Sequence, residues 1–316
     1  MSQGQKWGIV GFVSADSTMF EAWESVTTSQ RWLLVGVAVS IVGAWSWLIA
    51  RWRRGEPILP PEQPRPVPWG LREVVLAALI WHLAQLLVFG GYLRTMAGDN
   101  LDDPDALAGA LSARERLGLV GLANALAIGG VLLALRRLSG AVPSDLGLPG
   151  PGLARLDLVR GYAACWIVTP LVYAVMILAV RIWSYNRHPM EAMLRQDPTA
   201  LMAFLAVLSG VVVSPIAEEL LFRGVLQGWL TRFLSGREGE EVVKRSEVVP
   251  SAGFQANLAT SLIFASLHSD QWPAPLALFV LSLAAGWLAQ RTGGLIASIS
   301  LHMTFNGFST LWLLFA

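Results

Sequence analysis

In the stretch AEELLFRG, residues 217–224, two adjacent carboxylates and one guanidinium close a long apolar run, ALMAFLAVLSGVVVSPI. A charge at the centre of a bilayer costs at least about 2.5 kcal/mol on the most lenient scale, so three of them need a reason. On a helix, Glu219 and Arg223 are i,i+4 and face each other. Glu218 lies roughly 100° round the helix and is not the natural partner of Arg223. One carboxylate is therefore neutralised locally, and the other is left for a different task. Pro215 stands just before the pair, where it removes an amide donor and clashes with the carbonyl of Val211. This predicts a kink, and a kink can open a cavity. The bland alternative is a helix that ends here, with its charges reaching back to the interface.

Two later clusters weigh against that alternative. Phe264 and His268 in FASLH are i,i+4, and so are His302 and Asn306 in HMTFN. Either could be an interhelical hydrogen-bonding pair and no more. Depth argues for a shared site. Counted from residue 294, His302 lies roughly 12 Å and Asn306 roughly 18 Å along the last span. His268, counted from residue 256, is also roughly 18 Å along its span. The carboxylates come from the inner end of theirs, so all these groups can converge in the cytoplasmic half of the bilayer. A carboxylate beside an imidazole, shielded from bulk water, can act as a general base. His and Asn side chains can donate to a developing oxyanion. Such a set suits the addition of water to a carbonyl without a covalent nucleophile. Other hydrolytic sets are missing from the sequence: no His begins HExxH, no membrane Ser sits in GxSxG, and no pair of membrane aspartates occurs.

The elements that must position these residues are membrane helices. Of the 316 residues, 54% are hydrophobic and 14% charged, against roughly 25% charged in a soluble domain. The sequence predicts an all-α, polytopic membrane protein with a bundle of about eight transmembrane helices, near 32–50, 71–93, 117–135, 158–180, 200–222, 256–270, 273–290 and 294–315. The sixth is short and polar at its end. With Arg51, Arg53 and Arg54 placed inside, 14 of the 23 Lys and Arg fall in inside loops and 8 outside, Arg223 being intramembrane. That bias puts both termini outside and the site toward the cytoplasm; the acidic stretch DNLDDPD, 99–105, then falls outside. The net charge of +1 gives no reason to expect nucleic acid as a partner. The single cysteine, Cys165, permits no intramolecular disulfide. The first 30 residues hold no apolar stretch after a basic start, so no cleaved signal peptide is expected. Residues 55–70 read as a proline-rich connection, 139–152 as a turn-rich one and 235–248 as a charged, polar loop. The expected division is an N-terminal region, 1–140, with about three spans and the proline-rich linker, and a core, 141–316, within one integral-membrane unit.

At its three clusters the sequence resembles the CAAX prenyl endopeptidase and bacteriocin-processing family of intramembrane glutamic proteases. That family carries EExxxR, then FxxxH, then HxxxN or HxxxD, on separate membrane helices. Here the motifs read Glu218-Glu219-LLF-Arg223, Phe264-ASL-His268 and His302-MTF-Asn306. The resemblance covers about residues 145–316, with LGL at 146–148 as its weak opening. It implies an endopeptidase with a cavity open to the cytoplasm. By that similarity Glu218 activates water and His268 helps to hold it. His302 and Asn306 stabilise the oxyanion, while Glu219, Arg223 and Phe264 support the site. It implies a peptide or protein substrate, membrane-associated or prenylated, and the lipid bilayer as partners. No cofactor is expected. The alternative is zinc, with Glu218, His268 and His302 as ligands, although no i,i+4 pair of histidines seeds such a site. Two rivals belong to other classes: a non-catalytic immunity, scaffold or regulatory protein of the same fold, and an ion-coupled transporter. The intact motif set argues against the first. The second would want repeated halves or paired broken helices, and the sequence has one Pro-broken site.

Overall fold

The computed structural model describes residues 26–59, 67–97, 111–148, 151–184, 189–236 and 250–315. The acidic stretch 99–105, most of the charged 235–248 loop, the middle of the proline-rich connection and the first 25 residues lie outside these. The described residues are helical, with no strand among them. In chain order the helices are α1 (Thr28–Arg53), α2 (Leu71–Ala97), α3 (Ala113–Ser139), α4 (Pro151–Ile182), the short α5 (Pro189–Gln196), α6 (Ala200–Leu234), α7 (Pro250–Ser266), α8 (Ala274–Thr292) and α9 (Ile296–Leu314). Six of them, α1, α2, α3, α4, α6 and α8, are long and apolar enough to cross a membrane. Helix α7, at 17 residues, is short for a span, and α9 is diluted by His302, Asn306 and several hydroxyls. Large apolar side chains such as Trp32, Leu86, Val159 and Ile182 cover the outside of the bundle, where a bilayer would meet them. The chain is a multi-pass membrane protein.

Local signals set the helix ends. Thr27 and Gln30 form a reciprocal cap on α1, and Ser112 and Glu115 do the same on α3. Gly140 and Gly293 close α3 and α8 in the left-handed conformation that glycine adopts without penalty. The LGL segment has a structural use. Leu146 is buried against Leu220, Val225 and Leu295, and the Gly147 carbonyl accepts the amide of Leu295 just before α9 begins.

Helix α6 departs from the plain kinked helix that Pro215 predicts. It runs on to Leu234, well past residue 222, and its winding alternates. Ala206–Val213 is π-helical, Ser214–Glu219 is α-helical with Pro215 in its first turn, and Leu220–Leu226 is π-helical again. Proline cannot donate to the ladder, and a wider turn upstream absorbs the missing bond. π-Helical turns free carbonyls, and other elements take them up. Asn306 Nδ2 donates to the Gly210 carbonyl at 3.0 Å, and Trp69 Nε1 donates to the Val225 carbonyl at 3.1 Å. Next to the proline, Asn124 Nδ2 donates to Ser214 Oγ at 2.9 Å and its Oδ1 accepts from Gln85 Nε2 at 3.0 Å. Helices α2 and α3 thus hold the segment of α6 that precedes Glu218.

The most extensive helix contact is α4 against α9. It is close because Gly161 lacks a side chain: a Cβ there would lie 2.2 Å from the Ala297 carbonyl oxygen and 2.5 Å from Ser300 Cβ. Ser300 Oγ donates to the Leu158 carbonyl at 2.8 Å and pins the crossing two residues before His302. Gly161→Ala should force the two helices apart and destabilise by about 1–3 kcal/mol, the usual effect of overpacking. Gly129, where an added methyl would meet nothing within 4 Å, is the control. Thermal melts in detergent should separate Gly161→Ala from Gly129→Ala; equal midpoints would mean that the crossing is looser than described.

Candidate active site

The α-helical segment of α6 between its two π-helical turns presents both glutamates. Their surroundings differ sharply. Glu219 is fully buried, at 0% exposure. Its Oε1 accepts from Arg223 Nη1 at 2.9 Å and from His302 Nδ1 at 2.9 Å. Arg223 is held in turn by α8: its Nη2 donates to Ser282 Oγ at 2.8 Å and to the Ser282 carbonyl at 3.2 Å. Its guanidinium carbon also lies 4.9 Å from the centre of the Phe264 ring, a cation–π distance. The buried ion pair therefore gains additional hydrogen bonds that offset part of its desolvation.

Glu218 makes no such commitments. Its side chain is 20% exposed, and Oε2 lies 3.8 Å from His302 Nε2. No hydrogen bond holds it among the described residues. His302 thus stands between the two carboxylates, tied to Glu219 through Nδ1 and facing Glu218 through Nε2. Because Nδ1 donates to Glu219, Nε2 carries the lone pair in neutral imidazole and a second N–H in imidazolium.

Phe264 joins the groups from α7. Its ring meets Phe222 edge-on at 5.2 Å, His302 edge-on at 6.1 Å and His268 at 4.8 Å between centroids. His268 is not on the helix, as the i,i+4 spacing implies, because α7 starts earlier and ends earlier than the expected span. Helix α7 stops at Ser266, and His268 sits in the turn beyond it, half-buried. Its Nδ1 donates to the Phe264 carbonyl at 2.9 Å, which leaves Nε2 as the basic nitrogen. No hydrogen bond or ion pair joins His268 to Glu218 or His302 among the described residues. Asn306, one turn beyond His302, is half-buried and donates to the Gly210 carbonyl. The structure therefore brings Glu218, Glu219, Arg223, His302 and Phe264 into one cluster, reaches His268 through Phe264, and ties Asn306 to the first π-helical turn. Among the described residues, no three His, Cys, Asp or Glu side chains gather where they could hold one metal ion.

Two contributors, Ser282 and Trp69, do not stand out in the sequence. Ser282 could have been found from the Ser282–Gly286 spacing, a pair of small residues four apart that lets helices approach closely. Nothing local marks Trp69, because its partner lies in a distant helix.

Residues 200–308 match the family model described as type II CAAX prenyl endopeptidase Rce1-like. That range runs from the start of α6 into α9 and contains all three motifs, so the resemblance carried by the motifs is borne out. Over these residues the chain is similar to that family. The searches of curated proteins and of solved structures gave no match.

Removing either member of the buried pair leaves the other charge without its main partner. Glu219→Ala and Arg223→Ala should each destabilise by roughly 3–5 kcal/mol. Thermal melts in detergent report this directly. If both variants melt like the wild type, the pair does not carry the packing of α6 on α8 and α9.

Proposed function

We propose that the protein is an intramembrane endopeptidase that hydrolyses a peptide bond near the cytoplasmic membrane face, with Glu218 activating water. The observation that carries this reading is the asymmetry of the two glutamates. Glu219 is committed through one oxygen to both Arg223 and His302, whereas the Glu218 carboxylate makes no hydrogen bond among the described residues and lies beside an imidazole edge. The match of residues 200–308 to a prenyl endopeptidase family supports the reaction class.

In the reaction, the Glu218 carboxylate takes a proton from water while the water oxygen bonds to the substrate carbonyl carbon. The carbonyl electrons move onto oxygen. His302 in its imidazolium form, and the second N–H of Asn306, are the donors assigned to that oxyanion. As the C–N bond breaks, Glu218 returns the proton to the leaving nitrogen, which yields a carboxylic acid and an amine. His268, with Nε2 free, is assigned to hold the water. Glu219 holds the His302 ring so that Nε2 faces Glu218. The substrate is a membrane-associated or prenylated peptide or protein. The excess of basic residues in the loops assigned to the inside supports a site that opens to the cytoplasm.

Glu218→Gln keeps the size of the side chain and removes only its basicity. The variant should fold, insert and cleave nothing. Comparing the membrane proteomes of cells carrying wild type or variant should reveal substrates that accumulate uncut. Turnover near the wild-type level in a folded Glu218→Gln protein would sink the general-base assignment.

Zinc is the mechanistic alternative for the same residues. A catalytic zinc needs about three protein ligands converging on one point, and Glu218, His268 and His302 do not form such a group here. Activity should survive prolonged treatment with a strong chelator, and purified protein should carry less than stoichiometric zinc by elemental analysis. One zinc per chain, lost with activity and restored on re-addition, would move the mechanism to metal-assisted hydrolysis.

A further inference from the structure

The face of α6 that carries the site continues past Arg223. Glu219, Arg223, Gln227 and Thr231 succeed one another at four-residue steps, all buried. Helices α7 and α8 answer with polar groups of their own. Gln227 Nε2 donates to the Gly286 carbonyl at 3.1 Å, Asn257 Nδ2 to the Leu283 carbonyl at 2.9 Å, and Ser261 Oγ to Asn257 Oδ1 at 3.2 Å. With the Arg223–Ser282 bonds, these rungs form a polar seam between three helices. It runs from the site toward the end of the bundle where α6 finishes and α7 starts. Gly286 leaves room for it: a Cβ there would lie 1.9 Å from Asn257 Oδ1 and 2.8 Å from Gln227 Oε1.

The seam is not saturated by protein. Four buried atoms along it have no hydrogen-bond partner among the described residues: Glu219 Oε2, Arg223 Nε, Gln227 Oε1 and Thr260 Oγ1. Their residues are 0%, 5%, 3% and 1% exposed. Ser298 lies close to Glu219, but its hydroxyl donates to the Leu295 carbonyl at 3.0 Å. Leaving buried donors and acceptors unpaired is costly, and folded proteins satisfy such groups with ordered water where space and several polar partners coincide. Thr260 and Asn257 stand on the same face of α7 as Phe264, one to two turns before it, so Thr260 falls between the α7 residues that border Arg223 and Gln227.

We propose that this seam is a built water path, a file of ordered water running between α6, α7 and α8 to Glu219, and that it supplies the water that Glu218 activates. The supply role rests on the proposed hydrolytic function. The hydration does not, and the experiment reads hydration.

Synchrotron hydroxyl-radical footprinting of the full chain in detergent micelles makes bound water the source of the label. Phe264 is 2% exposed and borders the seam; Trp69 is 0% exposed, packs among Val67, Ala77 and Leu135, and is the more reactive ring. Phe264 should be oxidised faster than Trp69, in the wild type and equally in Glu218→Gln. Protection of Phe264 equal to or greater than that of Trp69 would overturn the path. Thr260→Val, which keeps the shape and removes one water partner, should lower the Phe264 label several-fold. An unchanged label together with a raised melting point would show that the hydroxyl was dry, and would also overturn it. Should Thr260→Val fail to fold, the wild-type comparison still decides. A labelled Phe264 in a protein that cleaves nothing would remove the supply role and leave the path standing.

Discussion

The rest of the site depends on keeping one ion pair, Glu219 with Arg223, buried within an apolar bundle. A charge stranded there would cost several kcal/mol, so each member must be paired and hydrogen-bonded. That requirement recruits a residue from each neighbouring helix. Helix α9 supplies His302 Nδ1 to the shared Glu219 oxygen, α8 supplies Ser282 to Arg223, and α7 lays Phe264 against the guanidinium. In satisfying the pair, the fold fixes the ring of His302 and turns its other nitrogen toward Glu218. The groups proposed to do chemistry are thus oriented by a group that does none.

The pair also sets demands on the helix that carries it. Two π-helical turns flank the segment from Ser214 to Glu219, and each needs its freed carbonyls satisfied. Asn306 and Trp69 meet this need from opposite ends of the chain, and Asn124 steadies Ser214 from α3. The family match begins at residue 200, yet Trp69, Gln85 and Asn124 lie before it. The early helices therefore contribute to the geometry around Glu218 even though no motif marks them.

Much of this is legible in the sequence because it follows from spacing along a single helix. The i,i+4 relation of Glu219 to Arg223 and the separate direction of Glu218 need only helical geometry, and apolar run length gives about eight helices. Where the sequence stops short, the missing information is tertiary. A π-helical turn widens the ladder by one residue, and the sequence signals only that Pro215 disturbs it. Helix α6 continues to Leu234 because the polar residues Gln227 and Thr231 are buried by α7 and α8, which hydropathy scores as an end. The spacing of His268 from Phe264 fits a helix, whereas the chain has already turned after Ser266. The partners of Asn306 and Arg223, Gly210 and Ser282, are far away in the chain, and nothing local says which residue each will meet.

In the proposed mechanism two adjacent carboxylates divide the labour, one holding the site together and one acting on water. The most direct test neutralises the structural pair without unbalancing it. In the double variant Glu219→Gln, Arg223→Gln no charge is stranded, and the new amide oxygen at position 219 can still accept from His302 Nδ1; replacing both members avoids the cost of leaving one buried charge unpaired. The measurement is the yield of new substrate N-termini in membranes from cells carrying the double variant, beside Glu218→Gln at equal amounts of folded protein. The double variant should show reduced but clear cleavage, and Glu218→Gln none. A folded double variant as silent as Glu218→Gln, or cleavage that persists without the Glu218 carboxylate, would contradict it.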